Sequence, residues 1–321
     1  MIEITFLILI LSSGTYTGFT KDKTALLKAV LPFLVLACHF APDTFPIENN
    51  IKFLGYFAVS CFFFISGYGL SAKFQAEHRI SFNYKLNKVV QLIVPLLTSS
   101  LLYLVIYVGV CDNSYDPREF LYGLRYGYFI FPISWFVLKI IVLYMVFWLC
   151  SKSKYSYILT CLGVILIIGG GKILHWDSAY YVSDIGFIAG LLFCRNNDFV
   201  ALNKYLSCIA FVIAVVLFLF NPPHVMYMLM FLIPLLTCKM LSYMPTIDGK
   251  LLNFLQGISY ETYLCQAAIG YLVQTYIDNP IVSFPIIVIS TYLIAYVVRQ
   301  LNLQIVKYLQ YGKNNSCNYK S

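Results

Sequence analysis

The stretch VVQLIVPLLTSSLLYLVIYVGV, residues 89–110, runs for 22 residues without a charged side chain. An α-helix rises about 1.5 Å per residue, so a helix of this length covers the roughly 30 Å of a bilayer's hydrocarbon core. The run is also about twice as long as a strand of a membrane barrel, which needs about 9–11 residues. The stretch therefore predicts a transmembrane helix.

Similar apolar runs, separated by short polar stretches, recur along the rest of the chain. Ten more are found at 2–19, 25–42, 51–71, 128–149, 156–171, 180–194, 205–220, 224–242, 252–274 and 281–302. No basic residue precedes the first run, so it lacks the charged start of a signal peptide, and we expect a true span or a helix lying on the membrane. We predict an all-α polytopic membrane protein, a bundle of about 10–11 transmembrane helices without a sizeable soluble domain.

The composition agrees with this fold class. Of the 321 residues, 60% are hydrophobic and 11% are charged, and the mean hydropathy is +0.78. A soluble domain carries roughly 25% charged residues, so a soluble enzyme, a disordered chain and a nucleic-acid-binding domain are excluded. The ten cysteines are dispersed and form no C-x-x-C pair. We therefore expect them to be small buried side chains, and we expect no metal site.

The basic residues predict the orientation of the spans. If the loop at Lys21 and Lys23 is cytoplasmic and every later run crosses once, 17 of the 22 Lys and Arg residues lie at cytoplasmic positions. Four lie on the outer side, and Lys139 lies inside a span. Positive charge holds loops in the cytoplasm, so this division favours the topology, with the C-terminal tail inside. The net charge of +8 is then a signal of topology and not of a polyanionic partner.

The second run carries two polar residues on one face. Lys28 and His39 are separated by eleven positions, which places them about 20° apart around a helix and about 16 Å apart along it. Pro32 between them removes the hydrogen bond to the Lys28 carbonyl and predicts a kink. Asp43 could orient the imidazole if the helix continues that far. This polar stripe is a candidate site, although a snorkelling lysine and an interfacial histidine would also explain it.

Lys85 and Lys88 lie one helical turn apart, at the predicted cytoplasmic start of the run 89–110. They could bind the phosphates of a cytosolic nucleotide-bearing donor, or they could anchor the topology or contact anionic lipids. In the preceding run, Gly67 and Gly69 follow Ser66 closely. Glycines at this spacing allow either a close approach of two helices or an unwound helix end.

Glu261 lies early in the run 252–274, directly after Tyr260. An ionisable group at membrane depth is a functional-site candidate by default. Its hydroxyl-bearing neighbours favour a hydrogen-bonded packing core or the wall of a cavity. Lys139, four residues after Trp135, could pair with Glu261, but no rule of sequence determines that contact.

Five motifs in this order resemble those of membrane-bound acyltransferase family 3. They are Lys28-x10-His39-Phe40, the aromatic stretch ending in Ser66-Gly67-Tyr68, the basic helix start with Lys85 and Lys88 running to Pro95, the pair Trp135-Phe136, and Ser259-Tyr260-Glu261-Thr262-Tyr263-Leu264. Lys28 stands where the family usually has Arg. Gln91 stands where another basic residue is expected, and Gln266 where many members have His.

The resemblance implies an O-acyltransferase of the bacterial inner membrane. It would move an acyl group, usually acetyl, from cytosolic acyl-CoA to a hydroxyl of a cell-surface or lipid-linked glycan. The domain assignment is an extra N-terminal hydrophobic helix at 1–20, a membrane acyltransferase domain at 21–305 and a polar cytoplasmic tail at 306–321. We expect acyl-CoA as a co-substrate, no tightly bound cofactor, a glycan or lipid-linked saccharide acceptor, contacts with membrane lipids and no nucleic acid.

The resemblance also suggests roles for individual residues. His39 would be catalytic, either as the general base or as a transient carrier of the acyl group. Lys28, Lys85 and Lys88 would bind the donor. Residues that would support the site are Asp43, Ser66, Trp135, Tyr260 and Glu261. The alternative is a polytopic transporter or glycan flippase, in which the polar stripe lines a permeation path.

Overall fold

A computed structural model of the chain describes residues 19–20, 22–42, 48–195, 204–220, 225–245 and 247–318. Within these residues the secondary structure is helical and contains no strand. The α-helices are α1 (Thr24–Phe40), α2 (Glu48–Glu77), α3 (Phe82–Leu104), α4 (Pro117–Tyr126), α5 (Trp135–Cys150), α6 (Ser156–Ile173), α7 (Ile185–Arg195), α8 (Lys204–Phe220), α9 (Met226–Leu241), α10 (Lys250–Tyr276) and α11 (Pro280–Asn318).

The predicted all-α fold class is confirmed. Each predicted run from 25–42 onwards coincides with a helix, whereas the first run, 2–19, lies outside the described residues except for its last position. Helix α4 was not predicted, because its stretch is rich in charge and tyrosine. It is a short helix capped by Asp116, whose Oδ1 accepts a hydrogen bond from the Arg118 amide, and it ends at Gly127, which has a φ of 87°. Such caps satisfy the free backbone groups at the two ends of a short helix.

Five helical segments in the described part of the chain are long and apolar enough to cross a membrane. They are Leu54–Glu77, Phe82–Val110, Pro132–Cys150, Ser156–Ile173 and Pro280–Leu309. Helices α1, α8 and α9 are apolar but only 16 or 17 residues long, and α7 has 11 residues. Helix α10 has 27 residues but is more polar. The protein is a polytopic membrane protein, and the total of ten or eleven crossings remains a prediction.

Helix α2 continues beyond its predicted end at residue 71. It reaches Glu77, which pairs with Lys73 one turn earlier, and α3 begins at Phe82 after its cap residue Ser81. The stretch 72–88 between the two predicted runs is therefore mostly helical, with only a few residues between α2 and α3. Hydropathy marks only the apolar part of a helix, whereas its backbone hydrogen bonds continue until a residue breaks or caps it.

The contacts divide the chain into two compact units. The first comprises the described residues up to His39 and those of Pro46–Ile80 and Leu143–Gln256. The second comprises the described residues of Phe40–Phe45, Ser81–Val142 and Gly257–Ser321. Three of the unit boundaries thus fall inside α1, α5 and α10, and the boundary after Ile80 lies between α2 and α3.

In the first unit, α2 and α7 pack closely because glycines lie at their contact. A methyl group added at Gly190 would collide with the carbonyl oxygen of Phe64, and one at Gly67 would collide with that of Phe187. Gly69 has no atom within 4 Å of the corresponding position, and α2 stays helical through it. Of the two interpretations of these glycines, the structure supports the close approach of helices, at Gly67.

In the second unit, aromatic rings surround the end of α3, where a π-helical segment covers Val105–Val110. The rings of Tyr103 and Tyr107 stack with centroids 5.5 Å apart, and Tyr271 of α10 lies 5.0 Å from Tyr107. Asn113 donates to the Tyr271 hydroxyl over 3.0 Å. These contacts connect the end of α3 to α10.

Candidate active site

Helix α1 carries the predicted polar stripe. It passes Pro32 without ending, so Lys28 and His39 lie on one continuous helix, as predicted. His39 lies in the last turn and its side chain is exposed, whereas Lys28 is half-buried in the second turn. An exposed imidazole is accessible to a substrate, as a general base must be.

Asp43 and Ser66 are the next predicted site residues along the chain. Asp43 is outside the described residues, so its proposed contact with His39 stays a prediction. Ser66 is half-buried in α2, directly before the crowded Gly67. The next residue, Tyr68, donates its hydroxyl hydrogen to the carbonyl oxygen of Phe19 over 2.6 Å. In the described structure, Gly67 and Tyr68 of this motif act in helix packing.

Lys85 and Lys88 lie in the first two turns of α3, in the second unit. Both side chains are half-buried, and the Lys88 Nζ lies 5.8 Å from the centroid of the Tyr84 ring. A helix N-terminus carries partial positive charge, to which the two ammonium groups add. This end of α3 therefore suits an anion.

Trp135 begins α5 and is half-buried. Its ring meets the edge of Phe136, with centroids 6.4 Å apart. Phe136 is buried and packs against Tyr263 of α10, with centroids 4.9 Å apart. Within the Trp135-Phe136 motif, the phenylalanine thus joins the core of the second unit, while the tryptophan remains accessible.

The tyrosines of the α10 motif connect that helix to its neighbours. The Tyr260 hydroxyl donates to the carbonyl oxygen of Leu92 in α3 over 3.0 Å. The Tyr263 hydroxyl donates to the carbonyl oxygen of Ile133, just before α5, over 3.1 Å. The two hydroxyls therefore connect α10 to α3 and to the segment before α5.

Between these two tyrosines, Glu261 is completely buried, with 0% of its side chain exposed. Its Oε1 accepts hydrogen bonds from Nη1 of Arg299 over 3.1 Å and from Nδ2 of Asn302 over 3.3 Å. Oδ1 of Asn302 accepts in turn from the Thr98 hydroxyl over 2.8 Å. These four residues, called here the polar cluster, connect α3, α10 and α11.

The sequence did not reveal most of the polar cluster. We considered Lys139 as a partner for Glu261, whereas the structure pairs the carboxylate with Arg299. Arg299 is one of the 17 basic residues that the predicted topology places at cytoplasmic positions, and no sequence motif marks Thr98 or Asn302. A signal was present, because Arg299 and Asn302 lie one turn apart within a candidate span, where polar residues are costly.

Three buried polar atoms of α10 have no hydrogen-bond partner in the described part of the chain. They are Oγ of Ser259, Oε2 of Glu261 and Oε1 of Gln266. Gln266 donates from Nε2 to the carbonyl oxygen of Tyr263 over 2.9 Å. Many members of the family that the motifs resemble have histidine at this position. In this chain the buried Gln266 packs inside the protein and donates a hydrogen bond to the backbone.

A comparison with known families agrees with the motifs. A family model described as an acyltransferase domain matches residues 25–300 of the chain. The matched region begins in α1 and ends in α11, so it includes every candidate residue named above except Asn302. No curated protein and no solved structure matches the sequence.

Proposed function

The chain belongs to membrane-bound acyltransferase family 3, and on that basis we propose that it is an integral-membrane O-acyltransferase. It transfers an acyl group, expected to be acetyl, from cytosolic acyl-CoA to a hydroxyl of a cell-surface or lipid-linked glycan. The observation that carries the proposal is the continuous helix α1, which presents an exposed His39 on the same helix as Lys28. The family match favours this activity over the transporter alternative.

His39 acts on the acceptor in this proposal. Its neutral imidazole removes the proton from the acceptor hydroxyl, and the hydroxyl oxygen attacks the carbonyl carbon of the thioester. The carbon–sulfur bond then breaks, and the imidazolium returns the proton to the CoA thiolate. In the second possible route the imidazole attacks first, releases CoA and passes the acyl group to the hydroxyl. Both routes give an O-acyl ester and free CoA.

The three lysines are the proposed phosphate contacts of the donor. Lys85 and Lys88 are supported by their position in the first two turns of α3, where the helix dipole also favours an anion. Lys28 is supported by the family motif, although a lysine cannot form the two-pronged contact of the usual arginine. Acyl-CoA is a co-substrate that enters and leaves, so no tightly bound cofactor is proposed.

The proposed location is the bacterial inner membrane, with the C-terminal tail in the cytoplasm. The distribution of basic residues supports this orientation, since positively charged loops are retained on the cytoplasmic side. A donor from the cytosol and an acceptor that is lipid-linked or exported would then reach the protein from opposite sides.

The test is acyl transfer by membrane vesicles given labelled acetyl-CoA. Label should enter the glycan with the wild-type protein, and His39→Ala should lower the rate about 10²–10⁴-fold at an unchanged amount of protein. His78→Asn is the matched control. His78 is an exposed loop histidine with a φ of 54°, a backbone conformation that asparagine tolerates, so this variant should behave as wild type.

Two results would contradict the proposal in different ways. Near-normal transfer by His39→Ala would exclude His39 from the mechanism. Absence of transfer by the wild type, together with loss of glycan export in cells lacking the protein, would favour a transporter.

A further inference from the structure

Arg299 lies within the candidate span Pro280–Leu309 and has one buried and one accessible side. Its partner Glu261 is 0% exposed, whereas 36% of the Arg299 side chain is exposed. Exposed residues near it on α11 are both apolar, such as Val297 and Leu301, and polar, such as Gln300 and Gln304. A guanidinium is costly in hydrocarbon, so the accessible side of Arg299 needs a polar environment or a polar ligand.

The guanidinium is held firmly on its buried side. Glu261 accepts from Arg299 and Asn302 through the same oxygen, and Asn302 is held in turn by Thr98. Arg299 and Asn302 are also one turn apart on α11, so the helix itself sets their spacing. An arginine held in this way loses little conformational freedom when it binds a ligand.

Most donors of the guanidinium remain available. An arginine side chain has five N–H donors, and in the described part of the chain the one hydrogen bond of Arg299 is that from Nη1 to Glu261. Four donors are therefore left on a group that is accessible. The planar fork that they form matches the oxygens of a phosphate better than any other side chain does.

Within the part of the chain that the structure describes, the hydrogen bonding of the polar cluster leaves one buried carboxylate oxygen unused, which a purely stabilising role does not explain. Oε2 of Glu261 is buried and has no hydrogen-bond partner among the described residues. A buried acceptor without a partner costs free energy that a purely structural ion pair would avoid by using both oxygens. The carboxylate instead uses Oε1 for both of its hydrogen bonds to described residues. One comes from the guanidinium of Arg299, and the other comes from the amide of Asn302 on the same helix.

We propose that Arg299 is an anion-binding residue that contacts a phosphate group, and that Glu261 and Asn302 are positioning residues for its guanidinium. This inference rests on the proposed function and deepens it. The phosphate belongs either to the CoA donor or to the lipid carrier of the acceptor, since both present the same chemical group. Recognition then depends both on the positive charge of the guanidinium, part of which Glu261 offsets, and on the geometry of its fork.

The test uses the purified full-length protein in detergent. Binding of free CoA is measured by calorimetry, and the KM values for acetyl-CoA and for the acceptor are measured separately. Arg299→Gln should raise one of the two KM values about ten-fold or more, the effect expected from the loss of a charge-assisted contact. Arg299→Lys keeps the charge without the fork and should give a smaller rise in the same KM.

The matched control is Arg195→Gln. Arg195 is an exposed arginine at the end of α7, with its guanidinium 4.8 Å from the centroid of the Tyr157 ring. This variant should leave CoA binding and both KM values unchanged.

The positioning role has its own measurement. Glu261→Gln keeps an acceptor oxygen but loses the charge that holds the guanidinium, and it should raise the same KM as Arg299→Lys. A merely structural role predicts a lower thermal midpoint with both KM values unchanged in the protein that remains folded. If Arg299→Gln does not fold, Arg299→Lys and Glu261→Gln carry the test.

The outcomes separate the possible sources of the phosphate. If the Arg299 variants bind CoA more weakly than the wild type, the phosphate belongs to the donor. If they bind CoA as the wild type does but have a raised acceptor KM, the phosphate belongs to the lipid carrier. Wild-type transfer with both KM values unchanged in Arg299→Lys and Glu261→Gln overturns the role of Arg299 alone. A wild-type protein that neither binds CoA nor transfers label contradicts the proposed function itself.

Discussion

Gly67 of α2 lies so close to the carbonyl oxygen of Phe187 in α7 that a methyl group at Gly67 would collide with it. The next nearest atoms are also backbone atoms, the Phe187 carbonyl carbon at 3.2 Å and the Leu191 nitrogen at 3.3 Å from that methyl position. Backbone atoms of a packed helix cannot turn aside as a flexible side chain can. Two residues later in the same motif, Gly69 has open space at the equivalent position.

We predict opposite effects for alanine at these two glycines. Gly67→Ala should force α2 and α7 apart and cost about 1–3 kcal/mol, as overpacking of a core does. Gly69→Ala should be neutral or stabilise by up to about 1 kcal/mol, because alanine favours the helix. Thermal unfolding in detergent would measure both, and equal midpoints for the two variants would contradict the close packing at Gly67.

A second prediction concerns Lys23, whose ammonium donates to the carbonyl oxygen of Ser242 over 2.9 Å at the C-terminal end of α9. Its side chain is only 6% exposed, and this burial lowers the pKa of Lys23 below its ordinary value of 10.5. The unfolded chain therefore binds this proton more tightly than the folded protein does. It follows that the contribution of Lys23 to stability is least favourable at low pH and improves as the pH rises towards 10.5.

The difference between the wild type and Lys23→Met isolates this effect. The thermal midpoint of the wild type should rise relative to that of Lys23→Met as the pH increases from about 7 to about 9.5, since methionine does not titrate. Lys73→Met is the matched control, because Lys73 is a more exposed lysine paired with Glu77. A constant difference between the wild type and Lys23→Met across this range would show that the lysine does not lose its proton more easily on folding.

A third prediction concerns donor binding at the start of α3. If the ammonium of Lys88 contacts a CoA phosphate, Lys88→Ala should raise the acetyl-CoA KM about ten-fold and leave the acceptor KM nearly unchanged. Lys85→Ala should act in the same direction. Lys73→Ala, at the end of α2, controls for the loss of one positive charge. Wild-type acetyl-CoA KM values in correctly inserted Lys85→Ala and Lys88→Ala would place the donor phosphates elsewhere.

A fourth prediction tests the crossing between α4 and α6. One candidate span, Pro132–Cys150, separates Ser114 from Lys154, and both of these residues are exposed. Single cysteines at these two positions, in a variant without the native cysteines, should react with an impermeant reagent from opposite sides of the membrane. Asn113 is a poorer position, because its side chain donates to the Tyr271 hydroxyl. Labelling of both positions from one side would contradict the predicted topology.

The fold class and the position of the α1 stripe could be derived from the sequence by itself. In a bilayer every backbone polar group must be satisfied within the segment, so a long apolar run has to be helical. Once the run 25–42 is a helix, its geometry alone puts Lys28 and His39 on one face. The ends of helices were less predictable, as the extension of α2 to Glu77 shows. Hydropathy marks only the apolar part of a helix, whereas the helix ends where its backbone hydrogen bonds stop.

Only the tertiary structure decided which of two similar residues is constrained and which charges meet. Gly67 and Gly69 are equivalent in the sequence, but the crowding of Gly67 depends on α7, more than 100 residues away. Glu261 had Lys139 as an equally reasonable partner, until the packing of α10 against α11 brought Arg299 to it. Contacts between distant segments depend on how whole helices pack, and a helix presents its faces to neighbours that local sequence patterns do not specify.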